Sequence, residues 1–175
     1  MSGGVTYCVD EEGELIAVPT EQVTFRPAVY GILIDNGRVI LKRRGPKNLW
    51  RPLGGRLACG QTPAQVLQAR FRASTGFVPV PGPMLLLEEQ HRVDEEGKAW
   101  HLVAMYYALR RPAGSVAMMN DRASQGEGSQ WVPLEELTAE AMLFGYQAVD
   151  AARNADWHNI SERQPDHGPS SSRWN

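Results

Sequence analysis

The sequence predicts one α/β domain, and three observations carry that expectation. A chain of 175 residues suits a single hydrophobic core of ordinary size. Apolar, strand-like runs are separated by turn signals at Asp35-Asn36-Gly37 and Asp94-Glu95-Glu96-Gly97. Between them, the segment after Thr62 carries both a start and a stop signal for a helix. With 42% hydrophobic and 22% charged residues, the chain falls in the globular class and outside the disordered one. Its apolar stretches, such as Met84-Leu85-Leu86-Leu87, are far too short to cross a bilayer. No signal peptide is visible at the start, and two cysteines, Cys8 and Cys59, make no disulfide framework, so a reducing, cytoplasmic setting is expected.

The elements are expected in this order. Val5 to Val18 reads as two short strands around Asp10-Glu11-Glu12-Gly13. Val29 to Ile34 is a buried-strand run, Asn36-Gly37 turns it, and Val39-Ile40-Leu41 returns toward Lys42-Arg43-Arg44. Gly45, Pro46, Pro52, Gly54 and Gly55 mark Gly45 to Gln61 as a loop. Thr62 then supplies an N-cap, Pro63 the first helical position and Gln65 the third position of a capping box. Leu67 and Phe71 share a helix face, and Gly76 is the stop. Met84–Val93 and Ala99–Leu109 read as strands, Trp131-Val132 as a short one, and Pro133 to about Trp157 as a helix with Leu134, Leu137, Ala141, Phe144 and Ala148 facing a core. Residues 1–26 are expected to form N-terminal strands, 27–158 the main domain and 159–175 a mobile polar tail.

The formal charge of −2 conceals two opposed regions. From Asn36 to Leu87 there is no Asp or Glu, but there are Arg38, Lys42, Arg43, Arg44, Lys47, Arg51, Arg56, Arg70 and Arg72, a local +9. The rest of the chain carries −11. An acid-free basic stretch next to a glycine pair points to an anion site.

Taken in order, the hairpin, glycine segment, helix, strand pair, tryptophan strand and final helix resemble the Nudix superfamily. The residues that carry the resemblance are Trp50, Gly54-Gly55-Arg56-Leu57, Gly60-Gln61-Thr62, Gly76 and Trp131 to Leu137. The signature of that family is G-x5-E-x7-R-E-U-x-E-E-x-G-U, with U a bulky apolar residue. With its first glycine on Gly55, its last glycine falls on Gly76 and its apolar positions on Phe71 and Phe77, without a gap. The resemblance spans about Pro27 to Ala148 and implies an α/β/α sandwich around a mixed β-sheet in a single domain. Every charged position of the signature is replaced: Gln61, Ala69, Arg70, Ala73 and Ser74 stand where the family has Glu, Arg, Glu, Glu and Glu.

Residues 70, 73 and 74 lie on one helical face. In the family that face carries carboxylates for Mg2+ or Mn2+, which polarise a diphosphate and help generate hydroxide. Here three acids become Arg70, Ala73 and Ser74, a swing from −3 to +1, and a like-charge contact at 4 Å costs ~4 kcal/mol at an effective dielectric near 20. No metal is therefore expected on this helix. A guanidinium can instead grip a phosphate directly, so Arg70 and Arg56, with Arg44, Trp50, Gly54, Gly55 and Gln61, are the expected ligand-binding residues. Candidates for a catalytic role outside the signature are Glu88, Glu89, Glu127 and His91. His91 and His101 flank the Asp94 turn, and the GDP-mannose-hydrolysing branch of the family, which also starts Gly-Gly-Arg, has histidines there.

Three function classes follow. The first is a binder of a nucleoside-diphosphate-type or other phosphorylated small molecule that has lost the standard metal centre. The second is a divergent hydrolase of nucleoside diphosphate derivatives, which would use Mg2+ or Mn2+ with the acids or histidine above. The third is a basic-surface RNA or protein interaction module, ranked last because no RNA-binding motif accompanies the charge. No membrane partner is expected, and a homodimer is left open.

Overall fold

The computed structural model describes residues 3–10, 12–44, 48–113, 115 and 129–155. Among these residues, eight strands, β1 (Val5–Val9), β2 (Leu15–Pro19), β3 (Thr24–Asp35), β4 (Arg38–Arg44), β5 (Leu49–Arg56), β6 (Val80–Val93), β7 (Ala99–Arg110) and β8 (Ser129–Pro133), form one sheet in the order β2-β1-β6-β7-β3-β5-β4-β8. The sheet is mixed, because β1 runs parallel to β6 and β3 parallel to β7 while the other neighbours are antiparallel. Helix α1 (Pro63–Thr75) packs on one face over Val29, Leu33, Ile40, Leu53 and Leu109, through Val66, Leu67 and Phe71. Helix α2 (Tyr146–Asn154) packs on the other face, where Ala148 and Val149 join Ala28, Ile32, Tyr106 and Leu137. The result is the α/β/α sandwich that the sequence predicts. Among the described residues no helix is long and apolar enough to cross a membrane.

Local signals account for most of the elements. Asn36 and Gly37 both adopt positive φ, 48° and 72°, as the tight β3–β4 turn requires. The capping box of α1 forms as expected: the Gln65 N–H donates to Thr62 Oγ1 at 3.3 Å and the Thr62 N–H to Gln65 Oε1 at 2.8 Å. Gly76 closes the helix in the left-handed region at φ 79°.

Two segments differ from expectation. The predicted loop from Gly45 to Gln61 contains strand β5. Its first half, Leu49 to Pro52, pairs with β4, and its second half, Leu53 to Arg56, pairs with β3. Pro52 sits at the hand-over and has a registered partner on one side only, which is how a strand near the sheet centre accommodates it. Gly54 marks a close approach of strands: a Cβ there would stand 2.0 Å from the Val29 carbonyl oxygen. The glycine pair thus reflects packing inside a sheet.

The predicted helix over 133–157 is the second correction. Pro133 ends β8, a single 3-10 turn covers Ala139–Ala141, and α2 begins only at Tyr146. Tertiary contacts claim the intervening backbone. The Leu134 N–H donates to the Gly37 carbonyl at 2.9 Å, and the Leu143 N–H to the Trp50 carbonyl at 2.8 Å. Gly145 then takes φ 83°, a break in helical geometry. The apolar spacing that suggested a longer helix is nevertheless used for burial, since Leu137 and Ala148 lie in the core with Leu134, Ala141 and Phe144 packed against it. Residues 156–157 and the predicted tail at 159–175 lie outside the described residues.

Candidate functional site

A cavity of about 530 Å³ opens where β3, β4, β5 and α1 meet. Its walls carry six cationic side chains: Arg26 from β3, Lys42 and Arg43 from β4, Arg51 and Arg56 from β5, and Arg70 from α1. Tyr30, Pro52, Gly54 and Gly55 complete it, and none of these lining residues is acidic. Strand alternation explains Arg26 and Tyr30, which are four residues apart on β3 and so share a face. Gly55 makes room for Arg70, whose Nε lies 3.3 Å from where a Gly55 Cβ would stand. Arg43 is held by Trp50, its guanidinium carbon 3.9 Å above the ring centroid. These cations repel one another, so an anion that enters is favoured by each of them. A phosphate 4 Å from one guanidinium gains ~4 kcal/mol of gross Coulomb energy at an effective dielectric near 20, before desolvation.

Tyr30 connects this cavity to a smaller one of about 150 Å³, which also shares Arg26 and Arg51. The smaller cavity is lined by Trp100, Phe144, Leu143, Leu102, Arg92, Val93 and Asp94. Trp100 donates from Nε1 to Asp94 at 2.7 Å, and the Arg26 guanidinium lies 4.7 Å from its ring centroid. Burial works against the Asp94 carboxylate, but hydrogen bonds from Trp100, Lys98 and Glu96, with Arg26 nearby, outweigh it and hold the carboxyl below its ordinary value. Burial also pushes the Tyr30 hydroxyl upward, against the pull of Arg51, Arg26 and Arg92, so it enters the cavity as a neutral hydrogen-bonding group. One end of the combined space is cationic, and the other is aromatic with a fixed carboxylate.

The sequence-predicted residues divide as follows. Arg56, Arg70, Gly54 and Gly55 line the large cavity together. Gln61 turns to the backbone of the preceding turn instead, its Oε1 accepting the Ala58 N–H at 3.1 Å. Trp50, expected as an exposed ligand contact in a loop, is a strand residue only 7% exposed within the core, and it reaches the cavity through Arg43. The Arg44 side chain and Glu127 lie outside what the structure describes. Glu88 accepts a hydrogen bond from Tyr106 at 2.9 Å; burial, reinforced by Glu88, raises the pKa of that hydroxyl. Glu89 meets His101, with Oε1 2.6 Å from Nε2, and His91 stacks on His101 with centroids 4.5 Å apart. Neither Glu88 nor these three residues lines the cationic cavity.

Arg26 is not singled out by the sequence, and Tyr30, an aromatic that could stack on a base or sugar, reads there by default as core packing. Arg26 precedes the acid-free stretch, and only the pairing of Tyr30 with Gly54 shows that this part of β3 faces the glycines. The box-helix positions do not fit a hard divalent ion. Ala73 offers no donor, Ser74 offers one hydroxyl, and the exposed Arg70 brings a positive charge where such ions require anionic oxygen ligands.

No protein-family model matches the chain. It is 27% identical over 143 residues to the RNA pyrophosphohydrolase of Acinetobacter baylyi, covering 81% of this chain and 76% of that protein. Among solved structures it is similar to NrtR of Shewanella oneidensis, with a TM-score of 0.56, 22% identity, and coverage of 73% of this chain and 62% of that one. It is also similar to the MutT protein of Methanosarcina mazei Go1, with a TM-score of 0.51, 17% identity, and coverage of 81% of this chain and 99% of that one.

Proposed function

We propose that this chain, which belongs by fold to the Nudix superfamily, binds a phosphorylated small molecule of nucleoside-diphosphate type without a metal on its box helix. The convergence of six cationic side chains on one cavity carries this reading. Arg70 stands in the signature where the family has a metal-binding glutamate. Its planar fork suits two phosphate oxygens, and it replaces an ion bridge by direct hydrogen bonds. Arg56, Arg26 and Arg51 surround the same charge, while the Trp100 and Phe144 end offers a flat ring apolar contact and the Asp94 carboxylate a hydrogen-bond acceptor. Such a site stabilises the charge of a diphosphate but does not prepare water for attack, because among the described residues no carboxylate or imidazole lines the large cavity.

The test is calorimetric titration with ADP, GDP, a nucleoside diphosphate sugar and pyrophosphate, in EDTA and again in Mg2+. Binding in EDTA with no product in either buffer supports the proposal. Absence of binding by all four at low ionic strength overturns it. A divergent hydrolase is the second reading, favoured by the 27% identity to an RNA pyrophosphohydrolase. Phosphate or nucleotide release that needs Mg2+ and disappears in Glu88→Gln or Glu127→Gln would decide for that reading.

A further inference from the structure

Away from the arginines, the β6–β7 hairpin gathers a second set of polar side chains. His91 and His101 are directly opposed in the antiparallel register, and Glu89 faces Val103 two positions along. Residues 89, 91, 101 and 103 therefore project from the same face of the sheet. Phe25 pairs with His101 from β3, and its ring meets the imidazole edge-on, with centroids 5.5 Å apart and planes at 75°. Phe25 and Arg26 are consecutive on that strand, so their side chains take opposite faces, one toward the histidines and the other toward the cationic cavity.

We propose that Glu89, His91 and His101 form a binding site for one divalent metal ion of intermediate softness, with Zn2+ as the reference ion. One carboxylate oxygen and one ring nitrogen from each histidine lie within 4.8 Å of one another, with Glu89 and His101 already at 2.6 Å. Around tetrahedral Zn2+, with ligand bonds of ~2.0–2.2 Å, donors stand ~3.3 Å apart. Moving from the present arrangement to that one needs side-chain rotation only. Glu89 is 61% exposed and His101 33% exposed, so the site is open to solvent and the Glu89 carboxylate has room to turn. Two imidazoles and one carboxylate favour Zn2+ over Mg2+ or Ca2+, which prefer oxygen donors throughout. Three protein ligands leave at least one coordination position for water or an incoming donor. The Phe25 ring packs edge-on against the His101 imidazole from the neighbouring strand.

The experiment is titration of chelator-stripped full chain with Zn2+ in competition with a chromophoric chelator. It is paired with 15N spectra of the imidazole rings, which need no variant. The expected result is one ion per chain, with shifts at the ring nitrogens of His91 and His101. Affinity should fall roughly tenfold or more in His91→Ala, His101→Ala and Glu89→Gln. The double variant His158→Asn/His167→Asn, which removes the other two histidines, and Cys59→Ser should each bind as the parent does. Binding weaker than about 1 mM, or binding lost in the His158/His167 or Cys59 variants and retained in the other three, overturns the proposal.

Discussion

The box segment and the β6–β7 hairpin face the same core with opposite chemistry. From Gly55 to Phe77 there is no acid, and Arg56 and Arg70 point into a cavity shared with Arg26, Lys42, Arg43 and Arg51. On the hairpin, Glu88 and Asp94 each have a hydrogen-bonded partner, while Glu89 pairs with His101 beside His91. In one region the fold concentrates positive charge around a space large enough for a small molecule. In the other, Glu88, Glu89 and Asp94 are each hydrogen-bonded to a named side chain, Tyr106, His101 and Trp100. The comparison teaches that the signature skeleton and its chemistry are separable. Phe71 and Gly76, which stand in register with the signature, answer to packing and backbone geometry, while its charged positions fall on Gln61, Ala69, Arg70, Ala73 and Ser74.

The largest expected effects separate scaffold from site along β5. Trp50→Ala should cost about 3–5 kcal/mol in chemical denaturation, because it empties a core position and frees Arg43 from its stacking surface. Gly54→Ala should cost about 3 kcal/mol or more, since its Cβ would meet the Val29 carbonyl oxygen and backbone cannot yield as a side chain does. Gly55→Ala meets only the exposed, flexible Arg70, so its stability cost should stay under about 1 kcal/mol while anion affinity falls. Equal destabilisation by the two alanines would contradict this division.

Next in size is charge at the cavity. Arg70→Glu puts an acid at this wall of the cavity and should weaken binding of a nucleoside diphosphate by about a hundredfold, and Arg70→Ala by about tenfold. Both should leave Zn2+ binding at the hairpin unchanged in the same chelator competition. Loss of both activities together would merge the two regions that the structure keeps apart.

The smallest effect is one of pH and belongs to the hairpin. The folded state holds the Asp94 carboxyl below its ordinary value, so the group contributes stability above its unfolded pKa of about 3.9 and loses it as pH falls through the lower folded value. Asp94→Asn should therefore be less stable at neutral pH, and the deficit should shrink on acidification below about pH 4. Thermal denaturation of both proteins across that range measures it. A deficit that grows toward low pH would reverse the sign.

Much of this architecture was legible in the sequence, and the exceptions have physical causes. The Asn36-Gly37 turn and the Thr62-Gln65 cap are local interactions, set by residues within a few positions of one another. Strand β5 was hidden because glycine and proline mean a loop locally, yet here they answer to strands distant in sequence, with β3 approaching Gly54 and β4 handing over at Pro52. The C-terminal helix was overextended because apolar spacing reports which residues are buried. It does not report that the Trp50 carbonyl takes the Leu143 N–H. In the site, Arg56 and Arg70 were visible through the signature spacing. Arg26 and Tyr30 needed the β3–β5 register, and the meeting of Glu89 with His101 needed that of β6 with β7. The burial of Trp50, and its contact with the cavity through Arg43, follow from the same distant strand pairing.

The central claim is that cationic side chains, with no metal on the box helix, hold the ligand. Calorimetric titration of the intact chain with a nucleoside diphosphate at low ionic strength in EDTA tests it most directly. Saturable binding that weakens as salt is raised, persists without divalent ions and falls in Arg70→Ala is the predicted result. Binding that appears only when Mg2+ is added, or is indifferent to Arg70, would contradict the account.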